Sequence, residues 1–169
     1  MYKAIGITAA AILASGCTTS SIIPQKLNPA ANESMTMIVP AKGVQIYECR
    51  AGKNGGFEWA FVAPDAALFD TTGALIGKHY AGPHWEAADG SKVVAKLVER
   101  ADAPKAGDIP WLLLGAKSVG PEGAFSKVTS IQRVNTVGGV APKAGCSQAN
   151  AGTPARIPYT ADYYFFTAK

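Results

Sequence analysis

VQIYECRAGKNGGFEWAFV, residues 44–62, decides how the chain folds. Its first six residues are β-branched, aromatic and polar in a short run, which suits a pleated, half-buried surface. In Phe57-Glu-Trp-Ala-Phe-Val62 the large residues Phe57, Trp59 and Phe61 alternate with Glu58 and Ala60. That period of two belongs to a strand with one buried face, because a helix would scatter these side chains around its axis. Lys53-Asn-Gly-Gly56 lies between the two runs and supplies the residues that tolerate a tight turn, so the stretch reads as a β-hairpin.

Working outward, the same alternation of strand and turn continues. Ala67-Leu-Phe69 and Ala74-Leu-Ile76 flank the turn Asp70-Thr-Thr-Gly73. Lys78–Glu86 and Ser91–Glu99 flank Ala87-Ala-Asp-Gly90, where Asp-Gly between two apolar runs is a strong hairpin signal. Trp111-Leu-Leu-Leu114 follows Pro110, which suits a strand start and not a helix interior. Val128–Val134 and Tyr159–Thr167 complete the set, the last with Tyr163, Tyr164, Phe165 and Phe166 in a row, apolar on both faces as a central strand would be. Only Ser91–Arg100 also reads as a short helix. Regular short strands divided by turns predict an all-β, single-domain antiparallel β-sandwich or flattened barrel.

The composition agrees. A chain of 169 residues with 48% apolar residues has room for one domain with a real core. Charged residues are only 17%, and the formal net charge of +4 is spread singly along the chain. Nucleic-acid binding needs cations gathered on one face, so no nucleic-acid partner is expected.

At the N-terminus Lys3 precedes the apolar stretch Ala4–Leu13, and small residues lead into Cys17. A basic start, a short apolar segment and small residues before a cut site describe a signal peptide, with an apolar run too short to span a bilayer. Leu13-Ala-Ser-Gly-Cys17 resembles the lipobox of bacterial lipoproteins, with Ala14 where a leucine is usual. The resemblance implies a diacylglycerol on Cys17 and cleavage before it; Thr18 in the next position favours the outer membrane, on the periplasmic side. Thr18–Asn32 is rich in Ser, Thr, Pro and Asn and reads as an extended linker. The expected organisation is therefore a signal-peptide helix over 1–16, a lipid-anchored flexible tether over 17–34 and the all-β domain over 35–169. Cys49 and Cys146 remain. An even pair in an exported domain reads as a disulfide, in preference to two buried thiols or a metal pair.

The string Ile76-Gly-Lys-His-Tyr-Ala-Gly-Pro-His-Trp-Glu86 with Asp89-Gly-Ser91 resembles the domain of unknown function 3455 family of secreted bacterial and fungal proteins. So do Gly43–Cys49, Ile109–Leu114, Ile131–Thr136, Gly138-Gly139, Gly145-Cys146 and Pro158–Tyr164, which together cover nearly all of the domain in order. The resemblance implies export and fold and carries no activity. His84 stands where the family commonly has a small hydroxyl residue, so no family-wide role for it follows. Some fungal members carry a malate dehydrogenase label. Gly138-Gly139 has no G-x-G-x-x-G around it and no following helix, so no dinucleotide is expected.

Chemistry-bearing residues are few. His79, Trp85 and Glu86 lie close together around Gly82-Pro83, a strand end where a β scaffold displays function. An imidazole beside a carboxylate serves as a base or a metal ligand. Arg133 and Asp162 are charges inside β runs, and such charges line a pocket, form an ion pair or face outward. The candidate ligand site is therefore His79, Trp85 and Glu86, with Arg133 and Asp162 on its wall. No nucleophile elbow, zinc, phosphate-loop or redox motif occurs, and neither metal nor cofactor is expected. The reading is a cell-envelope lipoprotein, partnered by the membrane and by an unknown small molecule or envelope component, acting as a binding or structural module. The alternative is an envelope hydrolase or metal-dependent oxidoreductase using His79 with Glu86 or Asp162.

Overall fold

The computed structural model describes residues 22–169. The signal peptide expected over 1–16, Cys17 and the first part of the tether lie outside the described residues. Eight strands follow in order: β1 Glu33–Ala51, β2 Phe57–Phe69, β3 Leu75–Tyr80, β4 His84–Ala87, β5 Lys92–Ala101, β6 Trp111–Ser118, β7 Val128–Gly138 and β8 Pro154–Ala168. Each pairs antiparallel with the next, and β8 returns to pair with β1, so the sheet closes as a barrel. Closure removes both sheet edges, which would otherwise be exposed to another chain. Of the two predicted architectures, the barrel is the one formed.

The predicted turns are present, and the run expected over Lys78–Glu86 is divided at Ala81–Pro83 between β3 and β4. β1 and β2 pair with Cys49 opposite Trp59 and Ala51 opposite Phe57. Asp70 accepts from the backbone N–H of Thr72 and Ala74 and so builds the turn into β3. The run Ser91–Glu99 is strand from Lys92 onward, as its place after the Asp-Gly turn predicts, and not the short helix that Ser91–Arg100 also allows: Val93 and Ala95, alternating and buried, face the interior from β5. One expectation is corrected. The flexible tether expected over 17–34 is packed structure from residue 23 onward. Leu27 is fully buried in a short 3-10 turn, Gln25–Leu27, and Glu33 already begins β1. The physical reason is a second apolar cluster outside the barrel. There Leu27 and Ile23 cover Ala101, Trp111, Leu113, Val134 and Tyr164, and Gln132 Nε2 donates to the Leu27 carbonyl at 2.6 Å. This cover explains why β8 is apolar on both faces: Tyr163 and Phe165 point into the barrel while Tyr164 packs under the N-terminal segment.

One end of the barrel is plugged. Phe125, from the β6–β7 connection, is fully buried against Phe165 with ring centroids 4.9 Å apart. Asp89 holds that plug, accepting from the backbone N–H of Ala124 at 2.8 Å, while the Ser91 hydroxyl accepts from the Phe125 N–H at 3.0 Å. At the other end Cys49 and Cys146 form a disulfide, tying β1 to the β7–β8 connection. Trp59 Nε1 reinforces it by donating to the Ala144 carbonyl. An eight-stranded barrel has an interior just wide enough to be filled by side chains or to hold one small ligand. Here the plugged half is filled, and the other half is open.

Candidate functional site

The site is built on the β3–β4 hairpin. Tyr80 pairs with His84 across a connection of Ala81, Gly82 and Pro83, and the register then places His79 opposite Trp85 and Lys78 opposite Glu86. Gly82 has φ 125°, a conformation open to glycine, and an added Cβ would meet the His84 ring at 2.0 Å. Because side chains alternate across a strand, this register sends His79 and Trp85 inward and Lys78 and Glu86 outward.

Inside, His79 is 3% exposed and stacks on Trp85 with centroids 4.0 Å apart and planes 16° from parallel. Tyr163 of β8 meets both rings edge-on, at 5.2 Å from His79 and 5.4 Å from Trp85. His79 Nδ1 lies 2.8 Å from the His84 carbonyl. A carbonyl only accepts, so Nδ1 carries the proton and Nε2 keeps a lone pair. Burial pushes the His79 pKa down to about 3; the bond to the His84 carbonyl opposes that fall, and the nearby Arg133 charge adds to it. The imidazole is therefore neutral at physiological pH.

These rings wall a chamber of about 200 Å³ bounded also by Gln45, Pro64, Leu112, Leu114 and Arg133. It opens into a wider mouth of about 650 Å³ that shares Gln45, Phe61, Pro83, Leu112, Leu114 and Arg133 and adds Tyr47, Lys96, Leu97, Arg100 and Pro110. Arg133 stands where the two meet. Its Nε and Nη2 both donate to the Pro110 carbonyl, at 3.1 and 2.9 Å. Among the described residues it forms no ion pair. Its charge reaches Tyr47, Tyr159 and Tyr163, where it opposes the rise in pKa that burial imposes on each phenol. Gln45 is 2% exposed, and its Nε2 is a buried donor without a hydrogen-bond partner among the described residues. The rim carries Phe61 and Leu97, which are 54% and 59% exposed.

Of the residues singled out in the sequence, the structure brings together His79, Trp85 and Arg133. Glu86 is on the outer surface, where it accepts from the Tyr80 hydroxyl at 2.5 Å and faces Lys78 and Lys92 at 3.3 and 3.8 Å. The Tyr80 hydrogen bond first, then the two lysines, hold the Glu86 carboxyl below its usual range, and the same bond pushes Tyr80 up to about 12. Asp162 is also outside, accepting from Asn135 Nδ2 at 2.9 Å. No Arg133–Asp162 ion pair forms, because the strand alternation sends Arg133 inward and Asp162 outward. A base or metal pair of His79 with Glu86 or Asp162 is therefore not assembled. Among the described residues no three His, Cys, Asp or Glu side chains are grouped to hold a metal ion.

Sequence reasoning missed Gln45, Tyr163, Lys96 and Arg100. Gln45 carried a usable signal, since it shares the parity of Tyr47 and Cys49 in an apolar run and so sits on their buried face. Lys96 and Arg100 carried none, because their place on the rim depends on barrel closure.

One protein-family model, described as "Protein of unknown function (DUF3455)", matches residues 29–75 and 71–167. No curated protein and no solved structure matches.

Proposed function

The chain belongs to this family of unknown function, and from that premise we propose that it is a lipid-anchored envelope protein whose barrel is a binding module for a small molecule. The observation that carries the reading is the half-filled barrel. A chamber walled by His79, Trp85 and Tyr163 opens outward past an unpartnered Gln45 amide and a cation. A purely structural barrel gains stability by filling its interior, as the Phe125 end does, because unfilled space forfeits packing contacts. Concave, mostly apolar sites with a few convergent polar groups are the usual form of a small-molecule site.

The lipid anchor rests on the sequence pattern around Cys17 and on the sorting position Thr18. A diacyl anchor holds firmly because each buried methylene contributes about 0.8 kcal/mol. Ile23, six positions after Cys17, already packs against the outer face of the barrel, so an anchored barrel would sit close to the bilayer.

Two measurements test the two halves of the proposal. In detergent partitioning the wild-type chain should enter the detergent phase and Cys17→Ser the aqueous phase; wild-type protein found wholly in water refutes the anchor. For the chamber, titration with the one-ring compound benzyl alcohol should shift the Trp85 indole resonance in ¹H–¹⁵N NMR, and Leu112→Trp, which fills the space, should abolish the shift while leaving the melting transition cooperative. Equal shifts in both chains, or none in either, refute the binding module.

A further inference from the structure

Resting on the reading of the barrel as a binding module, we propose that its ligand is a small organic anion, an apolar ring or short chain bearing one carboxylate, held with the apolar body against His79 and Trp85 and the carboxylate at Arg133. Size limits the apolar part. A cavity of about 150 Å³ suffices to take up benzene, so the chamber of about 200 Å³ admits one ring with a small substituent. Its walls favour a ring: the stacked pair His79 and Trp85 offers a face, and Tyr163 offers an edge.

Charge sets the polar part. Arg133 stands between chamber and mouth, and Lys96 and Arg100 stand on the rim beyond it. Among the described residues no aspartate or glutamate lines either space. A guanidinium presents more donors than the single Pro110 carbonyl takes up, and its planar fork matches a carboxylate. Gln45 Nε2 and Trp85 Nε1 are both buried without a partner on the chamber wall, and Gln45 Nε2 supplies a further N–H for the same group. A buried donor without a partner costs stability unless something accepts from it, and a ligand carboxylate does so. His79 cannot compete as a second cation, because it is held neutral, and its Nε2 lone pair accepts a ligand N–H or O–H where one is present. Lys96 and Arg100 act at longer range, raising the local concentration of anions and the association rate in a salt-dependent way.

The test is a titration of the full chain, followed by ¹H–¹⁵N NMR, with three ring compounds of near-equal shape: benzoate, benzyl alcohol and benzylamine. Benzoate should bind at least about fivefold more tightly than the alcohol, as a charge-assisted hydrogen bond is about twice as strong as a neutral one. Benzylamine should bind most weakly. In Arg133→Gln the preference for benzoate over the alcohol should fall to about twofold or less. Where that variant does not fold, the wild-type Arg133 Nε resonance decides: it must shift with benzoate and not with the alcohol. Equal binding of benzoate and benzyl alcohol, or stronger binding of benzylamine, overturns the anion assignment and leaves the chamber as a ligand site. Binding of none of the three, with no shift at the Trp85 indole, overturns both this inference and the binding-module reading.

Discussion

Replacing His79 by Gln should flatten the protein's loss of stability between neutral pH and about pH 5, and the size of the effect follows from burial. In the unfolded chain the imidazole titrates near 6.5; in the barrel burial lowers it to about 3. Between those values the unfolded state binds more protons than the folded state, so stability rises with pH across the window. The contribution is fully present above the unfolded value and is lost as pH falls toward the folded one. Each pH unit inside the window is worth about 1.4 kcal/mol. At about pH 5 the expected loss, relative to neutral pH, is about 2 kcal/mol, and since that pH lies well above the folded value the figure is set almost wholly by the unfolded one. Glutamine keeps an N–H within reach of the His84 carbonyl but has nothing to titrate. Urea unfolding of both chains at about pH 7.5 and about pH 5 gives the comparison, and groups common to both cancel in the difference. The wild type should lose about 2 kcal/mol more than His79→Gln over this interval. Equal losses would refute the reasoning and show that the imidazole reaches solvent when charged. The same wild-type protein at about pH 5 should still show His79 as the neutral, Nδ1-protonated tautomer by ¹⁵N NMR.

Three further outcomes follow from packing and covalent geometry. Gly43→Ala should cost about 3 kcal/mol in urea unfolding, because the new Cβ would sit 2.2 Å from the Asp65 carbonyl oxygen and 2.4 Å from the Ala66 Cα, backbone that moves only by parting β1 from β2. Phe125→Ala should cost about 3–5 kcal/mol and speed proteolysis in the β6–β7 connection, since the ring is fully buried and plugs the closed end. Cys49→Ala and Cys146→Ala should each lower stability by about 4–5 kcal/mol, given a sequence separation of 97, and each should leave one thiol open to labelling after unfolding.

What the sequence determined by itself is local. The hairpin over 44–62, the turn at Asp70–Gly73 and the Asp-Gly turn before β5 were legible because strand alternation and turn chemistry act between neighbours along the chain. Ser91–Arg100 was ambiguous for the same reason, since ten residues of mixed polarity suit either period until a partner strand is in place. The first eleven residues of β1 and the first five of β8 are not legible as strand. Pro40 in one and Pro154 and Pro158 in the other argue against a strand locally, and each segment is held by the legible part of the other strand: Gly43 pairs with Tyr159 and Ser34 with Thr167, while Pro154 pairs with Glu48 and Pro158 with Val44. The disulfide was legible by count, because an even pair of cysteines in a domain read as exported points to a bridge.

The tertiary structure alone decided which charges meet. His79 and Glu86 are seven positions apart, and whether they share a face depends on the three-residue connection at Ala81–Pro83. That connection sets the register 79 to 85, and a slip of one residue would turn Glu86 inward and Trp85 outward. Arg133, Gln45 and Tyr163 come from β7, β1 and β8, and they converge only because β8 closes onto β1. The N-terminal segment reads as a polar linker, yet Leu27 is buried, because the apolar outer face of β6 and β7 that receives it exists only once the barrel has formed. Alternation and turns act over a few residues and are written in composition. Inside and outside are properties of the closed barrel, and only closure assigns Arg133 to one and Glu86 to the other.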